Sequence, residues 1–255
     1  LRDSIPECRT DDFIEEMLRK LDWICGRSGK LKCPLLIAGD LFHHWKPSPW
    51  LLAAAIVRFK KAYEVFVVAG QHDLPQHQYE LIEKSGLQVL ENAGVIQVVP
   101  AGQFVMDKDG EFLLHGFPFG SEMKSSAHGN STYPHVALCH VMTYKKKRPY
   151  PGCEEDNSKK LMKKLNHFDL IVTGDNHETF VDIREEQLLV NAGSMMRTTA
   201  IQEEHEPSIF FWYADEGEVE QIKIPIKKDV VSRDHLDVQS DRKDRIDAFV
   251  KRMKE

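Results

Sequence analysis

The sequence has only five cysteines, and none of them forms a Cys-x-x-Cys pair. It also has no apolar run long enough to cross a bilayer and no leader of the secretory type. An odd number of thiols without zinc-site spacing excludes a disulfide-stabilised secreted scaffold and a thiolate zinc knot. We therefore expect reduced cysteines, a cytoplasmic location and no association with a membrane.

Positive charge is not in excess. The chain carries 34 Lys and Arg against 40 Asp and Glu, which gives a net charge of −6. This balance excludes a broad basic face of the kind that binds nucleic acid nonspecifically. It does not exclude a nucleic-acid substrate, because bound divalent cations would reverse the local charge of an acidic site.

Apolar runs that stop abruptly at polar residues are the strongest positive signal. In residues 35–44 such a run ends at Gly39, and Asp40 and His43 follow. This pattern predicts a short buried strand with a turn at its carboxyl end. Runs at 65–69, 135–139 and 170–173 end in the same way. The candidate ligands at the four ends are Asp40, Gln71 with His72, His140, and Asp175 with His177.

Carboxyl ends of neighbouring parallel strands meet at one edge of a sheet, so these side chains are expected to lie together. Taken singly, each has an alternative interpretation as a buried polar group satisfied by hydrogen bonds. Together they favour a metal site. Oxygen and imidazole ligands without thiolate suit manganese, iron or zinc. A carboxylate can bridge two metals, and such a pair assists in-line attack on phosphorus.

Hydrophobic periodicity predicts an α/β chain with alternating helices and strands. Helices are expected from about Thr10 to Gly26 and over 50–63, 78–84 and 159–166. Strands are expected at 95–99, in a hairpin around 107–110, and in the alternating segment that ends near 226. Beyond it, an apolar stripe over 246–253 predicts an amphipathic helix. We therefore divide the chain into a domain of residues 1–226 and an extension of residues 227–255.

Five stretches of the sequence carry a resemblance to a known family. Gly39 to His43, followed by Lys-Pro-Ser-Pro at 46–49, resembles the second motif of the calcineurin-like metallophosphoesterases. The likeness is greatest to SbcD and Mre-type DNA repair nucleases and their phage relatives. The remaining motifs are similar in order: Gly-Gln-His-Asp at 70–73, Cys-His at 139–140, Gly-Asp-Asn-His at 174–177 and Asn-Ala-Gly-Ser at 191–194, which resembles the Gly-Ser turn of the nuclease branch.

The resemblance implies a four-layer sandwich of two mixed β-sheets flanked by helices. It also implies two divalent metal ions, with manganese favoured and magnesium, iron or zinc as alternatives. By resemblance, Asp40 bridges both metals, Gln71, His140 and Asp175 complete one site, and His177 serves the other. In the same way, His72 contacts the phosphate or protonates the leaving group, Asp73 orients His72, and His43 lies near the scissile phosphate.

Three departures from the family pattern bear on the metal site. Gln71 replaces an asparagine, but its amide oxygen can still coordinate. Asp175 replaces a histidine, and this harder, charged ligand favours manganese or magnesium over zinc. The family's first motif, Asp-x-His, and the strand before it are absent from the sequence. We expect the natural protein to begin upstream and to supply them.

The function expected from the resemblance is hydrolysis of DNA phosphodiester bonds in repair or recombination, by exonuclease or endonuclease action of metal-activated water. A phosphodiesterase for small or nucleotide substrates and a non-catalytic module with a degenerate metal site are the alternatives. The expected partners are DNA, an SbcC-type ATPase and a second copy of the chain. The basic run Lys145, Lys146, Lys147 and Arg148 is interpreted either as a DNA-backbone contact or as a solvated loop.

Overall fold

A computed structural model of the protein describes residues 1–124 and 132–236. Helix α1 covers Phe13–Leu31, and its N-cap Asp12 accepts a hydrogen bond from the backbone N–H of Glu15. The helix was expected to stop near Gly26, but it continues to a left-handed C-cap at Lys32. Glycine inside a helix is unfavourable yet tolerated where packing holds the helix, so Gly26 alone did not mark the end.

A small parallel sheet follows, with the strand order β1-β2-β3. Its strands are β1 (Leu35–Ile37), β2 (Val65–Val67) and β3 (Gln97–Val98). Helix α2 (Pro49–Phe59), with Ser48 as N-cap, connects the first two strands. Helix α3 (Gly86–Asn92) precedes β3. Between β2 and α3 the chain forms short 3-10 turns over Gln71–Lys84, where a helix had been expected near 78–84.

The larger sheet has six strands in the order β4-β5-β6-β7-β9-β8. They are β4 (Phe104–Met106), β5 (Leu113–Phe117), β6 (His135–Cys139), β7 (Leu170–Thr173), β8 (Phe180–Arg184) and β9 (Gln187–Asn191), with helix α4 (Ser158–Lys164) between β6 and β7. The pairs β4–β5 and β8–β9 are antiparallel and the inner pairs are parallel, so the sheet is mixed.

Three apolar clusters stack these elements in four layers. Phe66 and Val68 of the small sheet meet Val136 and Leu138 of the large sheet in the central core. Helices α1, α2 and α3 cover the other face of the small sheet. Helix α4 covers the outer face of the large sheet. This arrangement confirms the predicted α/β sandwich with sheets flanked by helices.

The last strands, β10 (Ser208–Tyr213) and β11 (Glu218–Lys223), form an antiparallel hairpin. After this hairpin the chain runs beside the segment that precedes α1, where Val231 forms a β-bridge with Arg9. The predicted helix near 246–253 lies outside the described residues. None of the described helices combines the length and apolar character that a membrane crossing requires. The carboxyl ends of β1, β2, β6 and β7 bring the predicted ligands to one edge of the sandwich.

Candidate metal centre

The turn after β1 sets the position of Asp40. Both Gly39 and Asp40 adopt positive φ angles, of 85° and 50°, so the chain reverses sharply at the strand end. Positive φ is costly for a residue other than glycine and persists where the surroundings enforce it. Asp40 is held there because its Oδ1 accepts a hydrogen bond from the backbone N–H of His72 at 2.9 Å. The two predicted strand ends are thus joined directly.

The backbone of Gly70 lies against the Asp40 carboxylate. A Cβ atom at Gly70 would overlap Oδ1 and the backbone nitrogen of Asp40. Glycine is therefore required here because two segments of the chain approach closely, and not because of its own φ angle. The turn after β2 can reach Asp40 only because this position lacks a side chain.

Four predicted ligands converge at this edge. Ligating atoms of Asp40, His140 and Asp175 all lie within 4.8 Å of one another. Gln71 lies among them, since its side-chain nitrogen donates to Oδ1 of Asp175 at 2.9 Å. Its Oε1 lies 2.5 Å from Nε2 of His140. The structure thus brings together the set that the sequence assigned to one metal.

The tautomer of His140 follows from its second ring nitrogen. Nδ1 lies 2.6 Å from the carbonyl oxygen of Ala38, which can only accept a hydrogen bond. Nδ1 therefore carries the proton, and in the neutral ring Nε2 presents a lone pair to Gln71 and Asp40. A backbone acceptor behind the ring is the usual support of a metal-binding histidine.

The donor set fits a cation because its lone pairs face one another. With the Gln71 oxygen toward His140, Nε2 and Oε1 are two acceptors at 2.5 Å. With the amide reversed, its oxygen faces the Asp175 carboxylate instead. If Nε2 carries no proton, either orientation of the amide leaves two acceptor atoms in repulsive contact. A divalent cation bound by all these atoms removes that repulsion.

His72 and His43 stand beside the cluster. The side chain of His72 is 46% exposed, and its Nε2 lies 3.9 Å from Oδ2 of Asp40. The ring of His43 stacks on that of His72 with centroids 5.6 Å apart. Burial, assisted by the nearby charge of Arg2, lowers the pKa of His43, so its ring is neutral at pH 7.

Asp73 is buried and holds the loops around the site. Its two oxygens accept hydrogen bonds from the backbone N–H groups of Leu41, Phe42 and Gly70, at 2.9 to 3.2 Å. Burial raises the pKa of Asp73 to about 6, and the backbone donors Phe42 and Gly70 oppose that rise. Asp73 therefore fixes the turn that carries Asp40. Its expected role in orienting His72 stays a prediction.

The other predicted site residues lie apart from the four-ligand cluster. His177 is exposed and is not among the clustered ligating groups of the described chain. Lys145 donates to the carbonyl of Val181 at 2.5 Å and pairs with Asp182, so it faces the outer strand β8. Residues 146–148 of the basic run, Lys146, Lys147 and Arg148, are exposed. Their contact with a substrate stays a prediction.

A buried asparagine that was not among the predicted site residues supports the site. Asn191 is fully buried and accepts a hydrogen bond from Oγ1 of Thr173 at 3.0 Å. Its side-chain nitrogen donates to the carbonyls of Asn176 and Glu178, at 2.8 and 2.5 Å. It thereby clamps the loop that contains Asp175. The signal in the sequence was its position at the end of another apolar run, 188–190.

Two further residues reach the site without any predicted role. Nδ1 of His77 lies 2.9 Å from the carbonyl oxygen of Gln71. The ring of Phe119 stands edge-on to that of His140, with centroids 6.5 Å apart. No motif surrounds His77 in the sequence, so periodicity and spacing gave no signal for it.

Comparisons with known proteins match the chain to one family and to several solved structures. The Metallophos family, described as calcineurin-like phosphoesterase, matches residues 12–179. Among solved structures, TT1561 of Thermus thermophilus is 14% identical with a TM-score of 0.51, over 82% of this chain and 95% of that one. An archaeal protein described as a novel phosphodiesterase is 13% identical with a TM-score of 0.45, over 82% and 94%. No curated protein matches the chain.

The family match spans well over half of the chain and includes every predicted ligand. The likeness to TT1561 supports the fold alone, because the identity is low. The clustered candidate ligands lie just after the carboxyl ends of four strands, β1, β2, β6 and β7. The chain therefore belongs to the calcineurin-like phosphoesterase family.

Proposed function

We propose that this protein hydrolyses DNA phosphodiester bonds, as nucleases of the SbcD and Mre type do. The observation that carries the proposal is the convergence of Gln71, His140, Asp40 and Asp175, whose opposed lone pairs suit a divalent cation. Family membership supports a phosphoester hydrolase. The narrower assignment to DNA rests on the nuclease-like Phe42-His43 pair and the Gly-Ser turn at 193–194.

The four clustered residues would hold one cation, and Asp40 with His177 would contribute to a second. Two carboxylates and an amide oxygen with only one imidazole make a hard donor set, which favours manganese or magnesium over zinc. When bound, such cations supply Lewis-acid activation of water and offset charge on the phosphate oxygens.

The chain's own side chains supply positioning and proton transfer. Half-exposed His72, held near Asp40, is placed to give a proton to the departing oxygen of a bound phosphodiester. Neutral His43, stacked on it, adds no positive charge beside that ring. Asp73 and Asn191 keep the ligand-bearing loops in place by binding backbone groups. We expect a pre-organised site in which binding needs little rearrangement.

A small phosphodiester, such as a nucleotide ester, is the second candidate substrate. One observation favours it: Lys145 of the basic run is engaged by Asp182 and Val181 rather than directed toward a substrate. A long DNA duplex requires several phosphate contacts outside the active site. With Lys145 engaged elsewhere, fewer cationic side chains are available to bind phosphates, and this suits a smaller ligand.

The test uses metal-stripped protein to which manganese is returned. The substrates are end-labelled linear DNA and bis(p-nitrophenyl) phosphate, with Asp40→Asn as the inactive variant. Asp215→Asn, in the exposed turn between β10 and β11, is the matched carboxylate control. We expect DNA cleavage that needs manganese, disappears in the Asp40 variant and persists in the control.

The other outcomes separate the candidates. Hydrolysis of bis(p-nitrophenyl) phosphate without DNA cleavage would replace DNA by the small substrate. Bound manganese with neither activity would refute the enzyme proposal and favour a non-catalytic metal-binding module. The expected partners, an SbcC-type ATPase and a second copy of the chain, are untested. DNA cleavage is therefore also measured with the ATPase added and at protein concentrations that favour a dimer.

A further inference from the structure

An exposed aromatic ring lies at the rim of the candidate ligand cluster. Phe119 follows β5, and 38% of its surface is accessible. Its backbone N–H donates to the carbonyl of Ala69 at 2.8 Å. The next residues close a turn in which Ser121 donates to the carbonyl of Pro118 at 3.0 Å, with Gly120 at a φ of +79°. These hydrogen bonds fix the backbone that carries the Phe119 ring.

The ring adjoins a metal-ligand candidate. The centroids of Phe119 and His140 are 6.5 Å apart at an interplanar angle of 64°, an edge-on contact. His140 in turn contacts Gln71 and Asp40 within the cluster. A group that packs against the exposed part of Phe119 is thus one ring away from the candidate cation ligands.

His77 borders the same ring on another side. Its centroid lies 6.3 Å from that of Phe119 at an angle of 59°. Gln76 and His77 are consecutive non-glycine residues with positive φ angles, of 53° and 58°. This backbone conformation is unfavourable and tends to occur at binding sites. Here it accompanies the contact of His77 Nδ1 with the carbonyl oxygen of Gln71, which ties the His77 ring to the cluster.

A flat, uncharged, rigidly held ring next to a phosphodiester site suits one kind of group. Nucleobases stack on aromatic side chains, and every base has a face that can do so. The phosphate itself has no attraction for the face of a phenyl ring, whose π electrons are negative. With the phosphate bound at the cluster and the base stacked on Phe119, the sugar would connect these two adjacent positions.

We propose that Phe119, bordered by His77, stacks on the base of the nucleotide that adjoins the scissile phosphate. The proposal rests on the proposed phosphodiesterase function for its catalytic consequence, but the stacking itself does not require turnover. It adds a specificity-determining subsite that tolerates different bases and favours substrates that carry one.

The first experiment measures stacking without catalysis. The 5′-monophosphate of 2-aminopurine riboside loses fluorescence when its base stacks on an aromatic ring, so it reports the contact in the full-length protein. Phe119→Leu keeps an apolar side chain but removes the π face, and Phe119→Trp retains it. Tyr213→Leu removes an exposed aromatic from β10 and is the matched control. We expect quenching in the wild type, the Trp variant and the control, and its loss in Phe119→Leu.

The second experiment compares two esters that differ only in the base. Thymidine 5′-(p-nitrophenyl) phosphate and its abasic deoxyribose counterpart share one leaving group. Loss of one base–aromatic stack is expected to raise KM for the thymidine ester roughly tenfold in Phe119→Leu, with kcat little changed. KM for the abasic ester should stay as in the wild type, and Phe119→Trp should restore the thymidine value.

The results separate this proposal from the proposed function. Equal losses on both esters, or quenching that survives in Phe119→Leu, would overturn the stacking role and leave Phe119 as a structural residue. Quenching that depends on Phe119, without hydrolysis of either ester or of DNA by the manganese-loaded wild type, would support the subsite and refute the phosphodiesterase function.

Discussion

Nδ1 of His140, at the end of β6, lies 2.6 Å from the carbonyl oxygen of Ala38, at the end of β1. This hydrogen bond joins the two sheets of the sandwich at the edge where the ligands gather. It fixes the proton on Nδ1 and so directs the lone pair of Nε2 toward the cluster. The fold therefore sets both the position of a candidate metal ligand and the tautomer of its neutral ring.

Gly70→Ala should disrupt the cluster without unfolding the protein. The added methyl group would overlap the Asp40 carboxylate and backbone, so Asp40 must shift. We expect manganese affinity, measured by isothermal titration calorimetry, to fall by at least about tenfold. The melting temperature should remain high enough for the variant to be purified as a folded protein.

Gly26→Ala is the control for that substitution. Gly26 lies inside α1 with open space where a Cβ would stand. Alanine at a helical position is favoured over glycine, so this variant should gain about 0.5–1 kcal/mol of stability and keep its manganese affinity. Unchanged manganese binding in Gly70→Ala would show that Asp40 does not need its present position.

Gln71→Leu should weaken the site although the side chain keeps a similar size. It removes the oxygen near His140 and the N–H group that donates to Asp175. We expect manganese affinity to fall by about tenfold or more, since a ligand and the partner of another ligand are lost together. Gln97→Leu, at the exposed position of β3, is the matched control. Equal affinities in the two variants would exclude Gln71 from the metal site.

The strand ends could be predicted from the sequence because each apolar run stops at a polar residue. The run before His140 matches β6 at 135–139, and the run before Gly174 matches β7 at 170–173. The parallel pairing of β6 and β7, and of β1 and β2, then brings their ends together. Periodicity and pairing thus account for most of the cluster.

The rest of the site could not be predicted because it depends on contacts distant in sequence. His77 reaches Gln71 through two residues in an unfavourable backbone conformation, which no propensity indicates. Phe119 meets His140 because β5 and β6 are neighbours, although its Pro-Phe-Gly turn at a strand end was a usable signal. The 3-10 turns before α3 likewise follow packing rather than helical periodicity.

Asn191→Ala should destabilise the protein through the loop that contains Asp175. The variant leaves the carbonyls of Asn176 and Glu178 and the hydroxyl of Thr173 without their partner in a buried region. We expect a loss of about 2–3 kcal/mol in the free energy of unfolding, measured by urea denaturation.

Asn92→Ala, at the exposed end of α3, controls for the loss of an asparagine. It should change the free energy of unfolding by no more than about 0.5 kcal/mol. Equal stabilities of the two variants would contradict the clamp assigned to Asn191.

Lys20 should make stability depend on pH in the alkaline range. It is buried in α1 and donates to the carbonyl of Met195 at 3.0 Å. Burial lowers the pKa of Lys20 from 10.5 to about 8, although Glu16 opposes this shift. Between pH 8 and 10.5 the unfolded chain binds the proton more strongly than the folded one. Wild-type stability therefore gains a contribution as pH rises through this window.

Lys20→Met lacks that titration and isolates it. The stability of the variant relative to the wild type should fall as pH rises from about 8 to 10.5, by up to about 3 kcal/mol. Thermal unfolding of both proteins at pH 7, 8, 9 and 10 measures the slope, and any constant offset reflects packing. Parallel curves would show that the buried ammonium has its ordinary pKa.

Anomalous diffraction from crystals of the protein soaked in manganese tests the central claim most directly. We predict a peak at about 2–2.5 Å from the ligating atoms of Asp40, Gln71, His140 and Asp175. The separation of His140 Nε2 and Gln71 Oε1, now 2.5 Å, should widen to about 3 Å as both atoms turn to one cation. No peak at the cluster, or one bound only by other residues, would contradict the account.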